Sequence, residues 1–337
     1  MNERRRVLLQ ALAAAGVVGL GGGIARAASA EPPPETTRIR LPKVPSACVA
    51  PQYVAEALLR AEGFDRVEYV APPNQVSGVS GAELLGAGQH DIGMNFAAPI
   101  VVGIDRGAPI VTLAGVHAGC FELFVSENVR TMKDLKGKTV AILARNSAQH
   151  VFLASIATSV GLDPSRDIRW AELPPVEGKR LLAEGGIDAY LGFPPDPQEL
   201  RAKKVGRLLL NSAIDRPWSQ YFCCMIAANR EWTTRHPVAA RRAVRAILKA
   251  SELCAADPDL AATSFLGQGF NFDPEYARQA LRELPYGKWR DYNPEETLRF
   301  YALRLREAGM VKSAPQKIIA QGTDWRILDE LKREMKT

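Results

Sequence analysis

The chain has 337 residues, 47% apolar and 24% charged, which excludes a disordered or collagen-like polymer and is long enough for two globular lobes. Its net charge of +6 is uneven, because Arg4, Arg5, Arg6 and Arg26 against Glu3 put half of it in the first 30 residues. No basic stripe with interleaved aromatics follows, so the composition excludes nucleic acid as a partner.

The predicted elements begin with a signal peptide over residues 1–30. The arginines lead an apolar stretch from Val7 to Ile24. Two small-x-small sites close it, Ala25-Arg26-Ala27 and Ala28-Ser29-Ala30, and either suits cleavage. The arginine pair has twin-arginine character. Five glycines between Gly16 and Gly23 make the stretch a poor membrane span. The expectation is an exported, periplasmic protein without a lipid anchor.

After the Pro-rich residues 31–35, strands at 38–41, 67–70, 91–96, 110–116 and 122–125 alternate with helices at 51–61, 81–87 and 98–105. This rhythm predicts a parallel sheet with helices on both faces. A second unit repeats it. Thr131 is placed to cap a short helix over 132–135, and strands follow at 139–143, 168–172, 189–192 and 206–210. Helices at 147–160, 176–183 and after Pro197 separate them, and Gly161 ends the first. Residues 221–228 form a buried strand that returns to the first lobe. Helices then run over 237–255, 257–266, 274–284, 294–308 and 327–335, most with proline in the first turn. The predicted division is lobe 1 at 36–123 and 221–337, and lobe 2 at 124–220.

Five cysteines, Cys48, Cys120, Cys223, Cys224 and Cys254, leave at least one thiol unpaired. Strand alternation turns Cys223 and Cys224 to opposite faces, which argues against a bond between them. Buried free thiols are the favoured reading.

In open α/β sheets, ligands bind beyond the carboxyl ends of the strands. The candidates are therefore Gln52 in the first helix, Asn95, Phe96 and Ala97 after the 91–96 strand, and Asn146, Ser147, Ala148 and Gln149 where a strand meets a helix N-terminus. Phe193 follows a fourth strand end. Free N–H groups at that helix start favour an anion, and Ser147 serves equally as a cap. His117, Glu122 and His150 are ionisable, and structural or ligand roles stay open for each. The sequence holds no G-x-S-x-G, H-E-x-x-H, P-loop or paired CxxC pattern, so no catalytic residue, metal or cofactor is expected.

Several motifs in order resemble a known family. They include the run from Glu83 to Gly93, Arg106-Gly107-Ala108-Pro109-Ile110, and Met132 to Ala141. Gly161-Leu162-Asp163-Pro164, Leu181 to Ala189, Arg235-His236-Pro237 and Ala255-Ala256-Asp257-Pro258 follow. The chain resembles the nitrate/sulfonate/taurine substrate-binding proteins, the SsuA-like or NMT1/THI5-like group. The resemblance implies a type II periplasmic-binding-protein fold: two doubly wound α/β lobes joined by hinge strands, with a helical C-terminal region. It implies a monomeric ABC-importer receptor that closes on a small ligand and hands it to permease and ATPase subunits. It also implies ligand contacts from the loops around Gln52, Asn95–Ala97, Asn146–Gln149 and Phe193–Pro195. Arg145-Asn146-Ser147 stands where members often carry Gly-Ser or Gly-Thr, and Gly192-Phe193-Pro194 where many carry Trp-Glu-Pro. The ligand is a sulfonate, nitrate or carboxylate on the evidence of Arg145 and the helix start, or an aromatic acid on that of Phe96, Phe121 and Phe193. Two alternatives compete with the receptor. One is an enzyme like the pyrimidine-precursor synthases, whose Cys-Cys-Cys-Phe-Cys motif is absent here. The other is an extracytoplasmic sensor subunit.

Overall fold

The computed structural model describes residues 31–71 and 79–335. The expected signal peptide lies outside them. In chain order the elements are β1 (Arg38–Pro42), α1 (Ala50–Val54), α2 (Glu56–Ala61), β2 (Arg66–Val70), α3 (Val79–Gly86), β3 (Ile92–Phe96), α4 (Ala97–Asp105), β4 (Ile110–Ala118) and β5 (Glu122–Val125). Next come β6 (Thr139–Ile142), α5 (Ala148–Ser159), β7 (Arg169–Glu172), α6 (Pro175–Glu184), β8 (Ala189–Gly192), α7 (Asp196–Ala202), β9 (Arg207–Asn211) and β10 (Phe222–Asn229). The C-terminal helices are α8 (Arg230–Arg235), α9 (Pro237–Ala256), α10 (Pro258–Leu266), α11 (Pro274–Glu283), α12 (Pro294–Glu307), α13 (Pro315–Gly322) and α14 (Arg326–Glu334). Sequence periodicity foresees most of these. It misses α8 and α13, which are short, and it reads α1 and α2 as one helix.

Among the described residues the strands form three sheets, two in the first lobe and one in the second. In the first lobe β1 pairs parallel with β2, and β10 lies between β3 and β4, antiparallel to both. In the second lobe the order is β7-β6-β8-β5-β9, with β6 parallel to β7 and β8, and β5 antiparallel to β8 and β9. The five-stranded sheet is therefore mixed and the three-stranded one antiparallel, where a parallel sheet was expected. β10 and β5 reverse the direction because each enters its sheet from a crossover between the lobes.

The crossovers touch closely. Gly119 has φ +53°, and a Cβ there would lie 2.1 Å from Ala213 Cα, so only glycine fits. The Ser212 hydroxyl oxygen accepts from the N–H groups of Cys120 at 3.0 Å and Phe121 at 2.9 Å, which pins one crossover to the other.

Caps follow the sequence signals. Asp257, Asp273 and Asn293 accept from first-turn N–H groups of α10, α11 and α12, each with proline behind the cap. At the predicted 132–135 turn, Thr131 N–H donates to the Asp134 carboxylate at 2.8 Å. Helix α9 buries a stripe of Ala239, Ala240, Ala243, Val244, Ile247 and Ala250 against α1 and β4. Its arginines dock neighbouring helices: Arg245 pairs with Glu62, and Arg241 reaches Glu330 at 3.1 Å. Helix α12 lies against both α4 and α5, so the C-terminal region packs on each lobe.

Candidate functional site

The lobes touch across the cleft at several points. Ala47 N–H donates to Pro194 O at 3.1 Å, joining the loop after β1 to the loop after β8. Beside this contact four phenylalanines form a seam. The Phe96 ring, at the end of β3, lies 5.1 Å from that of Phe121 and 6.1 Å from that of Phe193. Phe121 stacks on Phe152 of α5 with centroids 4.7 Å apart. All four are buried. The sequence names Phe96, Phe121 and Phe193, while Phe152 falls unremarked inside the predicted 147–160 helix.

The start of α5 is a tight turn tied by its own side chains. Asn146 adopts φ +62°, a left-handed conformation that asparagine tolerates among non-glycine residues. Ser147 caps the helix, accepting the His150 N–H at 3.4 Å. His150 Nδ1 accepts the Asn146 N–H at 3.0 Å, and its ring meets Trp170 edge-on. Burial and then the Arg145 charge lower the His150 pKa to about 4, so it is a neutral acceptor. Arg145 itself leans toward Glu172, 3.7 Å away, and both are half exposed. Ala148 and Gln149 form the first turn and are buried. The Gln149 side-chain oxygen is buried and has no hydrogen-bond partner, which is a cost unless something donates to it.

In the first lobe, Gln52 is fully buried. Its Nε2 donates to Pro42 O at 2.6 Å and its Oε1 accepts from Met94 N–H at 3.2 Å. That amide ties the end of β1 to β3. Asn95 Nδ2 donates to Gly93 O at 3.2 Å, and Ala97 opens α4. Tyr53 holds Val44, taking its N–H at 2.8 Å and donating to its carbonyl at 2.9 Å. Tyr221 stacks on Phe300, with 3.9 Å between centroids.

His117 is buried with Nε2 2.9 Å from Cys48 O and Nδ1 3.1 Å from Ala118 O. Both nitrogens are thus engaged by backbone. Opposite it in the ladder sits Cys224. Here the structure corrects the expected alternation: register shifts around Cys224 form an irregularity in β10, and the sulfurs of Cys223 and Cys224 come within 4.8 Å of each other. All five cysteines are buried thiols.

A polar latch also bridges the lobes. Arg201 of α7 pairs with both Glu122 at the start of β5 and Glu283 at the end of α11. Gln198 Nε2 donates to Glu283 Oε2 at 2.9 Å. Burial pushes the Glu122 carboxyl above the usual range, and Arg201 reverses only part of that. No sequence signal pairs these positions, since Arg201 and Glu283 are far apart in the chain. Between α6, α7 and residues 271–276 opens a cavity of about 700 Å³. Its charged side chains satisfy one another, with Lys179 bonded to Asp196 at 2.7 Å and paired with Glu199.

The NMT1-like family model matches residues 32–265, well over half of the sequence. The chain belongs to the NMT1-like family. Among solved structures this family member is similar to the periplasmic nitrate-binding protein NrtA of Synechocystis PCC 6803, with 14% identity, a TM-score of 0.72 and 90% of each chain covered. It is also similar to the alkanesulfonate-binding protein SsuA of Xanthomonas axonopodis pv. citri bound to MOPS, with 19% identity and a TM-score of 0.67 over 86% of this chain and 99% of that one. At these identities the likeness establishes the fold, that of the periplasmic binding proteins, with two α/β lobes and a helical C-terminal region. A curated relative, the nitrate import ATP-binding protein NrtC of Synechocystis, is 25% identical over 239 residues, 65% of this chain. The match spans about a third, 35%, of that relative's length. Among the described residues, no helix is long and apolar enough to cross a membrane.

Proposed function

We propose that this NMT1-like protein is the periplasmic receptor of an ABC importer, closing its lobes on a small organic or inorganic anion. The observation that carries the reading is the start of α5. This 12-residue helix opens on its cap, Ser147, just after β6, and the buried, unpartnered oxygen of Gln149 lies in its first turn. Helix N-termini favour negative charge through their free N–H groups and dipole. The contact set is Asn95, Phe96 and Ala97 from one lobe with Asn146, Ser147, Ala148, Gln149 and Phe193 from the other, and Gln52 supports the first group from beneath. The unsatisfied Gln149 acceptor favours an anion that also carries an N–H or O–H donor, and the phenylalanine seam favours an apolar body. Nitrate and sulfonate binding by the structural relatives supports the anion class. Export by the twin-arginine route, a monomeric state and delivery to permease and ATPase subunits belong to the same reading. No catalytic group is assigned.

Thermal shift of the mature protein against nitrate, alkanesulfonates, amino-sulfonates and aromatic acids tests it. A ligand at 100 times its Kd stabilises the folded state by about 2.7 kcal/mol. A shift with one class, lost in Ser147→Ala and Asn95→Ala, supports the reading. An unmoved melting point across all four classes overturns it.

A further inference from the structure

We propose that Cys120, Cys223 and Cys224 form a binding site for a thiophilic d10 metal ion, Zn(II) or Cu(I), beneath the interlobe cleft. The three sulfurs lie within 4.8 Å of one another. Metal–thiolate bonds of ~2.3 Å place ligand sulfurs about 4 Å apart, so small side-chain rotations bring these three onto one ion. The residues are 4%, 7% and 0% exposed, which excludes water from the cluster.

The backbone pre-sets the arrangement. The irregularity in β10 brings the sulfurs of two consecutive cysteines together, where a regular strand would separate them. Cys120 is fixed by the Ser212 hydroxyl, and Gly119 holds the crossover against Ala213. Rigid support of this kind is what a metal site requires.

The donor set selects the ion. The cluster offers sulfur and no carboxylate oxygen, which disfavours magnesium and calcium and favours soft or borderline-soft cations. His117 is beside it, but its nitrogens are engaged by Cys48 O and Ala118 O. The Cys48 thiol borders those of Cys120 and Cys224. Three sulfurs suit trigonal Cu(I), and Cys48 as a fourth suits tetrahedral Zn(II). Binding is proton exchange without redox change: each coordinating thiol forms a metal–sulfur bond and releases one proton to solvent. The site stands whether or not the cleft takes an anion.

The test uses the full chain, reduced and metal-stripped under argon. Zn(II) is titrated in competition with a chromophoric chelator, and Cu(I) separately against a Cu(I)-selective one. The expected result is one ion per chain in at least one arm, with X-ray absorption showing sulfur neighbours near ~2.3 Å. Four sulfurs around Zn(II) bring in Cys48, and three around Cu(I) leave it out. Cys223→Ser and Cys224→Ser should each weaken binding by more than the ~10–100-fold that loss of an outer-shell partner costs. Cys254→Ser, in α9, should bind as the parent does. The stoichiometry and neighbours of the unsubstituted protein carry the answer even if a variant misfolds. The proposal is overturned by no ion retained in either arm, by nitrogen and oxygen neighbours alone, or by Cys120 disulfide-linked to Cys223 or Cys224 in freshly purified, unreduced protein.

Discussion

The phenylalanine seam and the Arg201 latch join the same two lobes with different physics. The seam buries four aromatic rings and uses no charge. Its strength comes from removing apolar surface from water and from packing, which pH and salt hardly touch. The latch is a charged network of graded exposure, with the Glu122 side chain 8% exposed, Arg201 28% and Glu283 40%. Charges near solvent are screened and contribute little, while an inner carboxylate is costly if left alone. The difference suggests a division of labour: the seam sets how firmly the lobes associate, and the latch sets how that association responds to conditions.

Phe121→Ala should have the largest effect, since the ring touches Phe96, Phe152 and Phe193 at once. Urea unfolding is expected to show a loss of about 3–5 kcal/mol. A loss under about 1 kcal/mol would remove the seam from the core. Arg201→Met comes next. It strands the Glu122 carboxylate in a buried position, at a cost of about 1–3 kcal/mol. Adding Glu122→Gln to that variant should recover most of it, and a failure to recover would assign the cost to lost packing of the arginine stem. Ser147→Ala removes a cap far from the latch and should cost about 1 kcal/mol, with weaker binding of any anion found by thermal shift. Loss of stability with unchanged anion affinity would leave Ser147 as a cap alone.

The smallest expected effect is a slope. The Glu122 carboxyl is held above its ordinary value in the fold, so the folded state binds that proton more tightly than the unfolded chain does. Its contribution to stability is full below the unfolded value, ~4.3 for glutamate. It declines as pH rises through the raised folded value. Melting temperatures over that window should fall more steeply for the parent than for Glu122→Gln. Parallel curves would place the carboxyl in a more solvated setting than its burial indicates.

Much of this was legible in the sequence because it is local. Proline behind Asp257, Asp273 and Asn293 marks helix starts, and the spacing of Ala239, Ala243, Ala246 and Ala250 marks a buried stripe. The Ser147 cap follows from residue type at a strand-to-helix junction. What escaped depends on contacts between distant segments. Gln52 sits at a helix start where a ligand contact was expected, yet its amide is occupied by Pro42 and Met94, and only the packing of β1 on β3 reveals that. Arg201 and Glu283 meet because α7 and α11 face each other across the cleft.

Cys223 and Cys224 draw the line between the two kinds of information. Sequence alone determined that they lie in a buried strand returning to the first lobe, since residue type and the apolar run fix both strand and burial. It assigned them opposite faces by the period of two. The tertiary structure decided otherwise, because β10 is wedged between β3 and β4 and its register shifts near Cys224. That shift is a property of three strands fitted together, and no single strand's sequence contains it.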